Sequence, residues 1–355
     1  MKPLRLKPLR LSLISGLLGV GLALSNLAPA QAQATITSAD VYTLQNSVTL
    51  NQQPAAVGDR MVPQDTLRTG ARSRAELLFN EGSLVRTGAG TTFRFPAGQR
   101  SFELINGSTL LMIRPGLGAS RITTPEAVIT ALGTALFVQH DPASNTSIVG
   151  VLTESPAGPV TVTDANSNVS VQLSAGQVVS VANGVVGFIE YFILPAFYDT
   201  VDLAAGLAPG QEAFVGQQSA AVQETLNAVR AESIGPFNSQ VAWLGGLCQQ
   251  GAQVLEQTTQ QTPLSPLTSL FDQLLSGARL PETLLPGQIA AVPGADLVVT
   301  PLRSLNGAAW LGDYCYTQRQ FEEGRSPAPA QPPWAQPNKH VPASNPSDKL
   351  FSVSR

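Results

Sequence analysis

The sequence predicts a mainly β protein: a β-solenoid or β-roll-like domain, then a small helical region and a disordered, proline-rich tail. Three observations carry this expectation. Within Leu67 to Val138, Ala75, Leu77 and Phe79 alternate with Arg74, Glu76 and Asn80, the period of a strand with one apolar face and charge projecting from the other. Nearly every gap between such runs holds Gly, Pro, Asn or Asp, and no ten-residue helical pattern intervenes, which argues against a parallel α/β fold. Finally, FNEGSL is echoed as LINGSTL at a spacing of about 25 residues, which suits one rung of a coiled β stack.

Taken in order, residues 1–34 read as a secretory signal. Lys2, Arg5, Lys7 and Arg10 precede the apolar run Leu11 to Leu24, and alanines from Ala28 to Ala34 supply small residues for cleavage. A mature chain beginning near Gln33 or Thr35 is expected, with no transmembrane anchor after cleavage and a periplasmic or secreted address. Residues 35–184 form the expected β domain. Its strands are Val41 to Leu44, Val48 to Leu50, the run through Phe79, and the apolar segment after Ser83. Further strands follow at Thr92 to Phe95, Ser101 to Ile105, Thr109 to Ile113, Ala127 to Leu132, Ala135 to His140, Ser147 to Leu152, Val160 to Thr163, Val169 to Leu173 and Val178 to Val181.

Several motifs occur along this domain in a fixed order. They are Gly58-Asp59, Leu67-x-Thr69-Gly70, Ser73-x-Ala75-x-Leu77-x-Phe79, Gly82-Ser83, Thr124-Pro125-x-Ala127, Gly133-Thr134-x-x-Phe137-Val138 and Ala175-Gly176-Gln177. Together they resemble the FecR-type periplasmic domain, over roughly Asp40 to Ala182. The resemblance implies a β-solenoid-like extracytoplasmic domain, found in regulators that relay an iron-uptake signal from an outer-membrane transporter to a sigma factor, and in other exported proteins. It supplies no catalytic residues. Gly70, Gly82, Gly133, Thr134, Phe137 and Gly176 are its structural signature, expected at turns and in the core. Three departures from the pattern stand out: the short segment before Leu11, the inserted Glu154-Ser-Pro-Ala-Gly-Pro159, and a second half unlike a small α/β signalling domain.

Residues 185–322 are expected to hold an apolar segment and a helical appendage. Val185 to Phe197 is rich in Phe and Tyr and reads as packing the appendage onto the β domain. Gln211 to Glu232 has the spacing of an amphipathic helix that Gly235-Pro236 stops; Ser239 to Gln257 and Ser265 to Leu275 are further helices. Residues 323–355 form the proline-rich tail.

Composition narrows function. Charged residues are 13% of the chain and the net charge is -3, which gives no whole-chain case for nucleic acid. From Gly58 to Arg121 there are nine arginines against five acids, and from Ile122 to Thr200 six acids with no Lys or Arg. Arg74, Arg86 and Arg94 are therefore the candidate partner-binding face; arginines that guard the solvent faces of strands against aggregation give the plainer reading. Cys248 and Cys315 are an even pair in an exported chain and a candidate disulfide, with about 4 kcal/mol available from loop closure.

No cofactor or metal is expected, because the glycine pairs at 88–90 and 116–118 continue into no nucleotide fingerprint and neither cysteine has a clustered ligand. His140 reads as an exposed histidine at a strand end, and Glu76, Glu81 and Glu103 as solvated. The function expected is a non-enzymatic binding or sensing module with a protein partner in the cell envelope. A structural role, with cell-wall polymer as ligand, is the alternative, and a polysaccharide-acting enzyme ranks third.

Overall fold

The computed structural model describes residues 35–166 and 169–258. The chain divides into two compact units, residues 1–32 and 33–355, and the described residues lie in the second. The expected signal segment, the helix at 265–275 and the proline-rich tail therefore lie outside them.

Strand propensity and turn residues set the element order. The strands are β1 (Ala39–Gln45), β2 (Val48–Leu50), β3 (Gln53–Pro54), β4 (Arg60–Met61), β5 (Thr66–Thr69), β6 (Arg74–Phe79), β7 (Leu84–Thr87), β8 (Thr92–Arg94) and β9 (Ser101–Met112). They continue as β10 (Ser120–Thr123), β11 (Ala127–Ala131), β12 (Ala135–Asp141), β13 (Thr146–Val151), β14 (Val160–Asp164), β15 (Ser170–Leu173), β16 (Gln177–Ala182), β17 (Val185–Val186) and β18 (Glu190–Tyr191).

Two sheets result. The inner sheet runs β4-β1-β6-β7-β9-β12-β13-β16, with β17 and β18 both paired to β16. The outer sheet runs β3-β2-β5-β8-β9-β10-β11-β14-β15. Strand β9 belongs to both. The sequence suggested two strands here, and the structure fuses them through Gly107 at φ +87°, where a Cβ would lie 2.5 Å from Thr91 Cα. Only glycine fits a bend so placed.

Among the described residues every ladder except β9–β10 is antiparallel. The expected coiled stack of rungs is thus not what the ladders show; the fold is mainly β, with open sheets. FNEGSL is the tight β6–β7 turn, whereas LINGSTL lies inside β9, so the echo marks glycine geometry rather than a structural repeat.

Burial follows the pleat. In the outer sheet, Leu67, Phe93, Phe102, Ile122, Ile129 and Val162 point inward and meet Leu77, Phe79, Val85, Leu111, Leu136 and Val138 of the inner sheet in one core. The inner sheet is buried on its other face as well: Leu84, Leu110, Met112, Ala135 and Phe137 pack under the helical layer. Strands with two covered faces read as continuous apolar runs, as in Leu110 to Ile113 and Ala135 to Val138.

The helical layer comprises α1 (Leu194–Thr200), a 3-10 turn (Asp202–Ala204), α2 (Glu212–Gly216) and α3 (Ala220–Thr258). Pro195 opens α1, where a missing N–H costs nothing. Gln240 of α3 accepts from Leu194 N–H at 2.6 Å and donates to Phe192 O at 3.1 Å, so α3 caps α1. Phe197 meets Phe137 edge-on with centroids 5.7 Å apart, and Tyr198 stacks on Phe237 at 5.9 Å. The apolar segment after β17 is divided: Tyr191 to Leu194 are buried, while Phe188 is 80% exposed. Gly235-Pro236 does not stop the helix as expected. Helix α3 continues through it: Pro236 is buried, and the carbonyl it frees finds another donor.

One polar group joins the layers. Arg86 on β7 faces Glu76 on β6 across the ladder, and both project from the helix-covered face. The Arg86 guanidinium pairs with Glu76 and donates to the carbonyls of Leu203, at 2.8 Å, and Ala205. Those carbonyls flank the end of the 3-10 turn, so the buried cation pins that turn to the sheet. Removing one member of such a group leaves a buried charge unmatched. Arg86→Ala is expected to destabilise the chain by about 3 to 5 kcal/mol, whereas Arg94→Ala at the surface costs about 1 kcal/mol or less. Urea denaturation of the two variants beside the parent tests this, and equal midpoints contradict it.

Candidate partner-binding face

The three arginines chosen from sequence do not share a face. Arg86 is 6% exposed and beneath the helices, so its place on a partner face is corrected: the strand side that the alternation turned outward is covered by residues 194–244. The same cover buries Glu76, and Glu81, held near Arg100 at 3.6 Å, is shielded too. Arg74 sits at the margin of that cover and pairs with Asp202 at 2.8 Å. Arg94 alone lies on the solvent face of the outer sheet.

That face is built by alternation. Because Leu67, Phe93, Phe102 and Ile122 point inward, Arg68, Thr66, Arg94, Glu103, Arg121 and Thr123 point outward. Arg94 stands opposite Thr66 on one side and Glu103 on the other. Arg68 is opposite Thr92, diagonal to Arg94, and Arg121 is opposite Ser101, diagonal to Glu103. The three arginines thus share this face with Glu103, and Arg94 pairs with Glu103 while remaining 43% exposed at its side chain. Farther along, the register aligns Thr123, Val128, Thr163 and Ser170 in one row and Arg121, Thr130, Thr161 and Gln172 in the next. The result is a surface that is basic at one end and rich in hydroxyls at the other. Alternation parity was the signal that singles out Arg68 and Arg121, which the sequence reading missed.

The signature residues have structural places. Gly82, Gly133 and Gly176 adopt positive φ, and a Cβ at Gly133 would stand 2.6 Å from Pro115 Cα. Gly70 instead donates its N–H to Ser47 O at 2.8 Å. Thr134 donates to Thr153 O at 2.7 Å, and Phe137 is in the helix-side core. Cys248 lies on α3; Cys315 is outside the described residues.

His140 is not the exposed histidine expected. It is buried, with Nδ1 3.0 Å from Ser147 Oγ, which lies 2.7 Å from Thr124 Oγ1. Burial pushes the imidazole below its ordinary value, and the charges of Glu126 and Asp141 oppose that only in part. The group is a buried polar chain between the sheets. Among the described residues no cluster of His, Cys, Asp or Glu could hold a metal ion, and no helix is long and apolar enough to cross a membrane.

The basic end of the surface, from Arg68 to Arg121, falls wholly within residues 65–155, which match the family model for FecR protein. This segment is a FecR-like domain. Strands β1 to β4 and β14 to β18 lie outside the match and extend its two sheets at either end. Two solved structures of a protein provisionally named an anti-sigma factor, from Parabacteroides distasonis, are also similar to the chain. Each is 18% identical, with TM-scores of 0.31 and 0.32; they cover 36% and 38% of this chain and 59% and 64% of their own. The chain thus spans less than two thirds of either. No curated protein matches the sequence.

A neutral buried His140 has a pH signature. Its folded value lies below its unfolded value near 6.5, so stability is lost as pH falls through that value and the unfolded chain takes up the proton first. His140→Gln is expected to lose less stability than the parent between pH 7 and pH 5. Urea midpoints at the two pH values test this, and parallel losses contradict it.

Proposed function

We propose that the chain is a non-enzymatic, exported FecR-like module that binds a protein partner in the cell envelope through the solvent face of its outer sheet. One observation carries the reading: Arg68, Arg94 and Arg121 lie on one face of the outer sheet, with Arg68 and Arg121 exposed and Arg94 paired with Glu103. Such a face offers planar, charge-assisted donors to acidic or carbonyl-rich segments of a partner. The family match supports a regulatory context, and the expected signal segment supports an envelope address. A second reading, cell-wall polymer as ligand, is favoured by the hydroxyl rows from Thr123 to Ser170.

Photo-crosslinking from position 123 on the outer sheet, in envelopes of the source cell, distinguishes these. The expected outcome is a discrete protein adduct that weakens with added salt and is lost in Arg68→Glu/Arg94→Glu/Arg121→Glu, while Arg74→Glu keeps it. Adducts only with cell-wall polymer favour the second reading. Adducts unaffected by the triple substitution contradict the arginine face.

A further inference from the structure

Pro236 lies inside α3 and has no N–H to give to the carbonyl of Glu232, four residues earlier. That carbonyl instead accepts from the backbone N–H of Glu154, at 3.4 Å. Glu154 stands just beyond β13, at the end of the FecR match, so the defect in the helix is one of the points where α3 is fastened to the domain, beside the contacts of Glu224 and Thr225. The two residues also bring their carboxyls within electrostatic reach of one another.

Both Glu232 carboxyl oxygens are shielded from solvent. Burial first, and the charge of Glu154 second among the unfavourable causes, push the Glu232 carboxyl up to about 7; the Thr153 hydroxyl pulls the other way. That hydroxyl is already engaged by Ala135 N–H at 2.8 Å and Thr134 Oγ1 at 2.9 Å. Burial also raises Glu154, against a hydrogen bond from Ala175 N–H at 3.0 Å. Among the described residues no cation acts on either carboxyl, and the nearest arginine along the helix, Arg230, is held by Glu212. Repulsion from a charged Glu154 thus adds to burial in disfavouring the Glu232 carboxylate.

We propose that Glu154 and Glu232 are a proton-operated clasp: with the Glu232 carboxyl protonated α3 is fastened beside the end of β13, and with both carboxyls charged the helix around Pro236 loosens. A carboxyl that holds its proton more tightly folded than unfolded adds stability in acid. That contribution is complete below the ordinary glutamate value of 4.5 and is lost as pH rises through about 7. The loosened stretch carries Phe237, stacked on Tyr198, and Gln240, which caps α1. Release therefore reaches the aromatic core beneath the helical layer.

The test is hydrogen exchange of amides 228–244 in the full chain from pH 5.5 to 8.5, corrected for intrinsic rates. Protection in the parent is expected to fall by up to about tenfold per pH unit as pH rises towards a midpoint near 7, and to level off above it. Glu232→Gln, neutral throughout, is expected to keep the acid-state protection, and Glu154→Gln to move the parent's midpoint down. Parallel pH responses in the parent and Glu232→Gln overturn the clasp. Should that variant not fold, an unmoved midpoint in Glu154→Gln overturns it equally.

Discussion

The guanidinium of Arg86 is the point on which the layers depend. It sits on a strand of the inner sheet, is neutralised by Glu76 on the neighbouring strand, and donates through Nη1 to the carbonyls of Leu203 and Ala205. A buried arginine without these partners is too costly to keep. The sheet and the 3-10 turn therefore specify one another, and the apolar contacts of Phe137, Phe197 and Tyr198 form around a fixed register.

From this anchoring follows the asymmetry of the molecule. The inner sheet is covered on both faces, by the outer sheet and by the helices. Among the described residues the outer sheet has one covered face, and its other face carries Arg68, Arg94, Glu103 and Arg121 with the threonine rows. Position rather than residue type decides which arginines are available to a partner: Arg86 is structural and Arg94 is displayed, although both came from the same basic stretch. The carboxyl pair at α3 adds a second consequence, since the helical cover is fastened through a contact that responds to protons.

Most strands were legible because their period and their turn residues agree: Thr92–Arg94, Ala127–Ala131 and Val160–Asp164 follow directly from alternation bounded by Gly, Pro, Asn and Asp. The positive φ of Gly82, Gly133 and Gly176 was equally readable as turns. Less legible was anything set by a distant partner. Alternation at Glu76 says that it opposes Leu77, not that a helix more than a hundred residues later will cover it. A clue was present, since Leu110 to Ile113 and Ala135 to Val138 are apolar without interruption, which marks two-sided burial. Polar residues on the same face, Glu76 and Arg86, could have been placed inside on that ground. Pro236 misled because its local preference ends a helix, whereas tertiary contact with Glu154 satisfies the carbonyl it frees.

The most direct measurement of the central claim is hydroxyl-radical footprinting of the free full-length chain. If helices cover the inner sheet, Met112, Phe137, Phe197 and Tyr198 are modified slowly, while Phe188, which is on the surface, is modified fast. Equal rates at Phe137 and Phe188 in the folded chain would contradict the covered sheet, and with it the division between a structural Arg86 and a displayed arginine face.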